Sequence, residues 1–345
     1  MKIVVTGTRG IPGIQGGVET HCQELYPLIA DEQHEIIVVR RPNYAMDRSV
    51  QIYKQVTIKD ISAPRSKHLE AFVHTFKAVI YARKVKADIV HIHAVGPALM
   101  TPVARLLGMK VVMTHHGPDY DRDKWGRFAK WILRMGERAG VYYANHIIVI
   151  SEYIRQIIYH QYSAKRNITL IHNGVNVPTR VVGTEYLESL DLTEYGYVLA
   201  VGRFVKEKNL DQLVEAFTQL SSPSMKLVIA GDADFQDEYA QKLKEVCRKE
   251  KNICLTGFIK GDKRAQLYTY AKVFVLPSTH EGLPIALLEA MSYGCQVLAS
   301  DIPAKKEKIE ISQSKRITYD LSSYSWRHIA QQTKEIYDSL IVKTI

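Results

Sequence analysis

The chain has 345 residues, 46% of them hydrophobic and 24% charged. That balance excludes disordered, collagen-like and low-complexity classes. The length exceeds what one small core organises, so two domains are expected. The net charge is +10, and it is one-sided: residues 1–180 hold 25 Lys/Arg against 14 Asp/Glu, whereas residues 181–345 hold 21 against 22. A positive first half favours an anionic surface or polyphosphate over a plain solubility charge.

Cys22, Cys247, Cys254 and Cys295 form no Cys-x-x-Cys pair, which argues against a zinc knuckle or disulfide framework and for a reducing compartment. The N-terminal segment lacks the apolar core of a signal peptide. The longest uncharged run, Ile89 to Ala104, carries two histidines and two prolines and is too short to span a bilayer.

Short β-branched runs alternate with helical patterns from end to end. The first set is Ile3–Thr6, Ile36–Val39, Ile89–His93, Val111–Thr114, Ile147–Ile150 and Thr169–Ile171. A polar stretch over 179–194 follows. The second set is Val198–Val201, Leu227–Ala230, Ile253–Leu255, Val273–Leu276 and Val297–Ala299. Continuous apolar strands between helices predict parallel sheets covered on both faces. The fold class is therefore α/β, with two doubly wound domains in series and ligands at the carboxyl ends of their strands.

After the first strand comes GTRGIPGIQGGVETH, with a helix pattern from about Val18. Gly16 and Gly17 allow close approach of a ligand, and the helix start offers N–H groups to an anion. A glycine-rich turn with no ligand is the alternative. The spacing is not Gly-x-Gly-x-x-Gly, and the second strand ends in Arg40 and Arg41, where an NAD enzyme has an acidic residue. An NADP-dependent oxidoreductase is weakened but stays open through Arg40.

His91 and His93 share one face of a strand, and His115 and His116 follow a neighbouring one. Strand-end or cleft histidines are preferred to a metal set for these four. The stretch Asp123–Gly140 has Trp125, Phe128, Ile132 and Met135 at helical spacing. Lys124, Arg127, Arg134 and Arg138 form an adjacent stripe, with Lys130 and Trp131 beside them. That pattern suits a helix at a lipid surface; an ordinary helix with its cations in water is the alternative.

In the second half, GRFVKEKNLDQLVEAF places Arg203 and Lys208 around a turn into a helix near Asn209 or Leu210, where the two cations can bracket a diphosphate. The strand Val273–Leu276 leads into PSTHEGLPIALLEAMSYG. Glu281 lies in its loop, Gly282, Leu283 and Pro284 lead into a helix, and Glu289 falls in the helix's second turn. Carboxylates above and beyond a helix N-terminus can hold hydroxyls at both ends of a phosphorylated ligand. Solvated surface charges are the plainer reading of each residue alone.

Taken together, GGVET, THHG, GRFVKEKN and the segment from Glu281-Gly-Leu-Pro to Glu289-Ala-Met resemble the retaining, nucleotide-sugar-dependent glycosyltransferases of family 4. DRDKWGRFAKWILRMGERAG is similar to the subgroup that builds cell-surface polysaccharides. The resemblance implies a GT-B fold: two doubly wound Rossmann-like domains facing across a cleft. Its parts would be an acceptor-side domain over 1–185, a nucleotide-sugar domain over 186–323 and a closing helix over 324–345.

By the same resemblance, Arg203 and Lys208 bind the donor diphosphate, Glu289 the ribose and Glu281 the donor sugar, beside Gly282, Leu283 and Pro284. Gly16 and Gly17 approach the phosphate or sugar, and His116 stands near the reacting sugar. The implied reaction moves a hexosyl-type residue from a nucleoside-diphosphate sugar to a saccharide or lipid-linked saccharide acceptor in polysaccharide biosynthesis. By the resemblance it uses no cofactor and no metal, the cations and helix N–H groups taking a metal's place at the diphosphate.

The expected setting is cytoplasmic, peripheral on the inner face of the membrane, with the basic N-terminal domain on anionic lipid and no nucleic-acid partner. Only 304–325 separate Pro303 from Trp326, so the second domain is read as shortened near its C-terminus. That shortening raises a catalytically impaired truncated member acting only as a binding protein as an alternative. A GT-B sugar-nucleotide epimerase is another.

Overall fold

The computed structural model describes residues 1–64, 69–122, 125–162, 167–178, 183–220, 225–233, 237–300 and 318–341. The chain divides into two compact units: Met1–Gly174 with Ser323–Ile345, and Val175–Ser322. Lys124, and residues 304–317 of the segment read as shortened, lie outside the described residues.

The first unit contains β1 (Lys2–Thr6), α1 (Gly17–Ile29), β2 (Glu35–Arg40), β3 (Ile52–Tyr53), β4 (Val56–Asp60), α2 (Glu70–Lys84), β5 (Ile89–His93), α3 (Thr101–Leu106), β6 (Lys110–His115), α4 (Arg127–Tyr143), β7 (His146–Val149), α5 (Glu152–Tyr162) and β8 (Ile168–Leu170). Its sheet runs β3-β4-β2-β1-β5-β6-β7-β8. Every pairing is parallel except β3 with β4. Val4, Val39, Val90, Ile92, Val111 and Met113 from the strands share one core with Ala78, Val79 and Ala82 of α2 and Ala104 of α3. Helices on both faces explain why these strands read as unbroken apolar runs.

The hairpin of β3 and β4 was not expected. Strand β3 is only two residues long and lies at the sheet edge, and the turn residues Lys54 and Gln55 both take positive φ, 46° and 70°. Asn-Gly normally marks such a turn; Lys-Gln carries no such signal.

The second unit contains α6 (Glu185–Ser189), β9 (Tyr197–Val201), α7 (Leu210–Gln219), β10 (Lys226–Ala230), α8 (Glu238–Lys249), β11 (Ile253–Gly257), α9 (Gly261–Tyr270), β12 (Val273–Leu276), α10 (Ile285–Ser292) and β13 (Val297–Ala299). Its sheet is all parallel in the order β11-β10-β9-β12-β13. Ala200, Leu227 and Ile229 pack there against Phe204, Leu210, Val214, Phe217, Ala240 and Leu243. Each sheet begins in its interior, with β1 between β2 and β5 and β9 between β10 and β12. Strand order reverses at those points, where doubly wound sheets open a crevice at their carboxyl ends.

The last helix, α11 (Trp326–Ile341), belongs to the first unit. It packs along α1, its Trp326 ring is 4% exposed and sits against Gly174, and His34 Nε2 meets the Asp338 carboxylate at 2.9 Å.

Helix α4 lies tight on the sheet. A Cβ at Gly136 would fall 2.2 Å from the Val95 carbonyl oxygen, and one at Gly140 2.2 Å from Met113 Sδ. Gly136, Glu137, Gly140 and Val141 therefore form its inner face, and Phe128, Trp131 and Met135 its exposed one. Trp125 precedes the helix and so does not continue the expected stripe.

Truncation of the buried indole as Trp326→Ala is expected to cost about 3–5 kcal/mol, the usual range for emptying a large aromatic site. Urea unfolding followed by tryptophan fluorescence measures it. A cost under about 1 kcal/mol would mean that α11 is only loosely attached.

Candidate active site

In the first unit, the loop after β1 folds over the ends of β1 and β5. Gly16 caps α1 with φ 147°, and a Cβ on it would lie 2.0 Å from Glu19 Oε2. Glu19 is buried and accepts the Thr8 hydroxyl at 3.2 Å and the Arg9 N–H at 3.0 Å, which fixes the loop. A Cβ at Gly17 would meet nothing within 4 Å, so the helix start at Gly17 is open.

Below that loop stands a buried group of rings. His91 and His93 stack with centroids 4.4 Å apart, and His93 stacks on His116 at 5.2 Å. His21, from α1, lies edge-on to His116 at 5.0 Å and to Trp326 at 5.5 Å. Their hydrogen bonds form a consistent series. His116 Nε2 and His93 Nδ1 are 2.9 Å apart, His93 Nε2 meets the Tyr26 hydroxyl at 2.5 Å, and Tyr26 bonds Tyr337. The Tyr337 hydroxyl meets His91 Nδ1 at 2.5 Å, and His91 Nε2 meets Thr114 Oγ1 at 2.7 Å. His21 Nδ1 meets Asn173 Oδ1 at 3.0 Å. The series is satisfied when His116, His93, Tyr26 and Tyr337 each donate to the next member and His91 Nε2–H donates to Thr114.

Burial depresses all four histidines, and for His91, His93 and His116 neighbouring histidines add to it. His21 is lowered to about 4, against the hydrogen bond it donates to Asn173, and His91 to about 3, while His93 and His116 lie well below 6.5. All four are neutral imidazoles near pH 7.

His115 belongs elsewhere. Its Nδ1 accepts the Gly117 N–H at 3.1 Å, so its Nε2–H donates to Glu137 Oε1 at 2.7 Å. Tyr120 and Tyr162 also donate to Glu137. Burial opposes the charge on Glu137, but these three bonds hold its carboxyl below the usual range. The four strand histidines are thus not one set: His91 is saturated by Tyr337 and Thr114, and His115 by Gly117 and Glu137. His21, which the sequence did not single out, joins His93 and His116 instead. Its only signal was its place one turn into the helix opened by Gly17.

In the second unit, Gly202 and Arg203 follow β9, and Lys206–Lys208 form a short 3-10 turn ahead of α7. Asn209 takes a left-handed conformation, φ 48°, and its Nδ2 donates to the Pro277 carbonyl at 3.3 Å. The Thr279 N–H donates to the Glu207 carbonyl at 3.0 Å. These bonds lace the β9 loop to the β12 loop and bring Lys208 Nζ to 2.5 Å from Glu281 Oε1. Arg203 lies half-buried in the same turn. Gly282 and the buried Leu283 lead to Pro284, which precedes the first turn of α10, whose N–H groups point back toward the loop. Glu289 is one turn further along. Its Oε1 pairs with Arg264 at 3.1 Å, and its Oε2 accepts the Tyr268 hydroxyl at 3.1 Å. Arg264 and Tyr268 were missed; their spacing of four on α9 was the available signal.

Arg40 is fully buried. Its Nε and Nη2 grip the Asp60 carboxylate at 2.7 and 2.9 Å, and its remaining donors reach the carbonyls of Asp47, Arg48 and Val50. Fully buried and paired with Asp60, it does not present its fork to a 2′-phosphate, which takes away the residue on which the NADP reading stood.

Comparison with known proteins agrees with this architecture. Residues 15–178 match the family described as Glycosyltransferase Family 4, and residues 184–337 the family described as Glycosyl transferases group 1. An uncharacterized glycosyltransferase of Methanocaldococcus jannaschii is 24% identical, with 98% of both chains covered. The Escherichia coli UDP-Gal:alpha-D-GlcNAc-diphosphoundecaprenol alpha-1,3-galactosyltransferase is 26% identical over 87% of this chain and 80% of its own. Among solved structures, sucrose-phosphate synthase from Thermosynechococcus elongatus superposes with a TM-score of 0.80 at 18% identity, covering 99% of this chain and all of that one. Anabaena HepE in complex with UDP-glucose gives 0.78 at 16%, covering 98% and 100%. The chain belongs to the GT-B glycosyltransferases of the family 4 type. It is a glycosyltransferase. Among the described residues, no helix is long and apolar enough to cross a membrane.

The neutral histidines give the first unit a pH signature. Below about pH 6.5 the unfolded chain takes up protons that the folded unit refuses until its depressed values, near 4 for His21 and 3 for His91, are reached. Stability should therefore be full above pH 6.5. It should fall through the window from 6.5 to 4 by about 1.4 kcal/mol per pH unit for each histidine. Urea unfolding at a series of pH values measures this slope, and His91→Gln should reduce it by one histidine's share; an unaltered slope would assign the acid sensitivity to other groups.

Proposed function

We propose that this enzyme is a retaining, metal-independent hexosyltransferase that uses a nucleoside-diphosphate sugar and an acceptor saccharide carried on a lipid. The observation that supports it most is the Lys208–Glu281 pair. It joins, at 2.5 Å, two candidate ligand groups 73 positions apart on laced loops at the carboxyl end of the second sheet. An ammonium beside a helix N-terminus answers the charge that grows on a departing diphosphate, and Arg203 adds a fork to the same turn. Donor binding exchanges the Lys208–Glu281 contact for Lys208 to phosphate and Glu281 to a sugar hydroxyl. Glu289, oriented by Arg264 and Tyr268, takes the ribose hydroxyls.

In the proposed step, the bond between the anomeric carbon and the diphosphate oxygen breaks as the acceptor oxygen bonds to that carbon on the same face. The acceptor proton passes to a diphosphate oxygen. Arg203, Lys208 and the first-turn N–H groups of α10 stabilise the leaving group. Gly16 and Gly17 approach the phosphate or sugar through open backbone, and His116, neutral and held by His93, orients the reacting sugar. The donor class is supported by the UDP-glucose bound to HepE, and a lipid-linked acceptor by the name of the E. coli relative.

The outer face of α4 supports attachment to an anionic membrane. Phe128 is 73% and Trp131 57% exposed, their rings stack at 6.0 Å, and Arg127, Lys130, Arg134 and Arg138 stand on the same helix. Aromatic groups at the headgroup level with flanking cations are the signature of an interfacial helix. A peripheral place on the inner leaflet also suits the surplus charge of residues 1–180.

Lys208→Ala should lower turnover of the preferred nucleotide-sugar by about 100-fold or more, while anomeric coupling constants in the NMR spectrum of the product report retention. Unchanged turnover would remove Lys208 from the diphosphate site, and an inverted product would remove the same-face step. In flotation with vesicles containing anionic lipid at low salt, the wild type should rise with the lipid, and a Phe128→Ala/Trp131→Ala variant should stay behind. Equal recovery of the two proteins would dismiss this face as the anchor.

A further inference from the structure

His21, His93 and His116 carry more than a hydrogen-bonding role. One ring nitrogen from each lies within 4.8 Å of the other two. They come from three different segments: α1, the end of β5 and the residue after β6. Two of the three are oriented by an acceptor on the far side of the ring, His21 through Nδ1 to Asn173 and His93 through Nε2 to Tyr26. That bond leaves a lone pair on His21 Nε2 and on His93 Nδ1, and His93 Nδ1 lies 2.9 Å from His116 Nε2. Metal-ligating histidines are held in this way, with the second nitrogen donating to a carbonyl or hydroxyl oxygen. Burial keeps all three rings deprotonated, which is the ligating form.

We propose that these three histidines form a binding site for a divalent transition metal of the zinc type, and that loading it inhibits the enzyme. Three imidazoles and no thiolate select Zn2+, Co2+, Ni2+ or Cu2+ over Mg2+ or Ca2+. Metal–nitrogen bonds of about 2.0–2.1 Å set tetrahedral ligand atoms about 3.3 Å apart. His93 Nδ1 and His116 Nε2, 2.9 Å apart, need to open slightly, and His21 closes on them by about 1–1.5 Å. The N–H···N bond between His116 and His93 is exchanged for two metal–nitrogen bonds, the His116 proton moving to its Nδ1. His116 is the half-buried member, so the ion enters on its side and a water fills the fourth position there. The site shares His116 with the proposed transfer chemistry, whose charged groups belong to the second unit. Its inhibitory effect rests on the assignment of His116 to the reacting sugar, because a ligated ring cannot orient a substrate.

The test uses the whole chain, freed of metal by a chelator and titrated with Co2+. One equivalent should give the visible d–d absorption of a four-coordinate ion, and Zn2+ should abolish it by competition. His21→Gln should weaken zinc binding by at least about 100-fold, and Asn173→Ala, which removes only the orienting acceptor, by about 10–100-fold. Thermal melts of both variants confirm that they fold; if His21→Gln does not, Asn173→Ala decides alone. No four-coordinate spectrum, or an affinity that neither variant alters, overturns the site. In parallel, one equivalent of Zn2+ should stop sugar transfer and a chelator should restore it. Transfer at full rate with the site loaded overturns the inhibition. The cobalt spectrum needs no turnover, so loss of the transferase reading would leave the metal result standing on its own.

Discussion

The first unit depends on how neutral imidazoles are kept buried. His21, His91 and His93 are buried from bulk water, and each ring nitrogen that lacked a partner would cost a desolvation penalty. The structure meets this with a series that runs from His116 through His93, Tyr26 and Tyr337 to His91 and Thr114. Its members come from α1, β5, β6 and α11. Removal of any one strands its neighbours, so the loops, the first helix and the last helix are held to one arrangement.

The second unit solves a different problem with the opposite chemistry. Its candidate groups are charged, and each carboxylate is matched to a cation on another loop or helix: Glu281 to Lys208, Glu289 to Arg264. The bonds from Asn209 to Pro277 and from Thr279 to Glu207 hold the two loops in register before any ligand arrives. Preorganised charge of this kind stabilises a transition state with little reorganisation. One unit thus offers a neutral, shaped surface and the other an electrostatic grip.

Much of this was legible in the sequence because doubly wound sheets announce themselves. Runs such as Ile3–Thr6 and Val273–Leu276 have no polar interruption, and strands covered on both faces need none. Lys208 and Glu281 were legible through the turns that carry them. What the sequence hid was partnership. Tyr337 and His91 are 246 positions apart, and no local pattern connects them. His21 and Asn173 were hidden for the same reason, 152 positions apart. The stripe on α4 was only half right: periodicity places Phe128 and Met135 on one side, but it does not show that Gly136 and Gly140 decide which side faces the sheet. The β3–β4 hairpin escaped because Lys54 and Gln55 adopt a left-handed turn without the residues that favour it.

The chain leaves the first unit at Gly174 and returns to it at Ser323. During synthesis, then, the opening sheet waits for its final helix while the entire second unit is made. Until residues 326–341 emerge from the ribosome, Tyr26 and His91 lack their Tyr337 partner, and the groove that receives Trp326 stays uncovered. A nascent chain of this design leaves apolar surface of its earliest-made unit exposed until residue 341 is reached, and a stop ahead of residue 326 damages the part that was translated first.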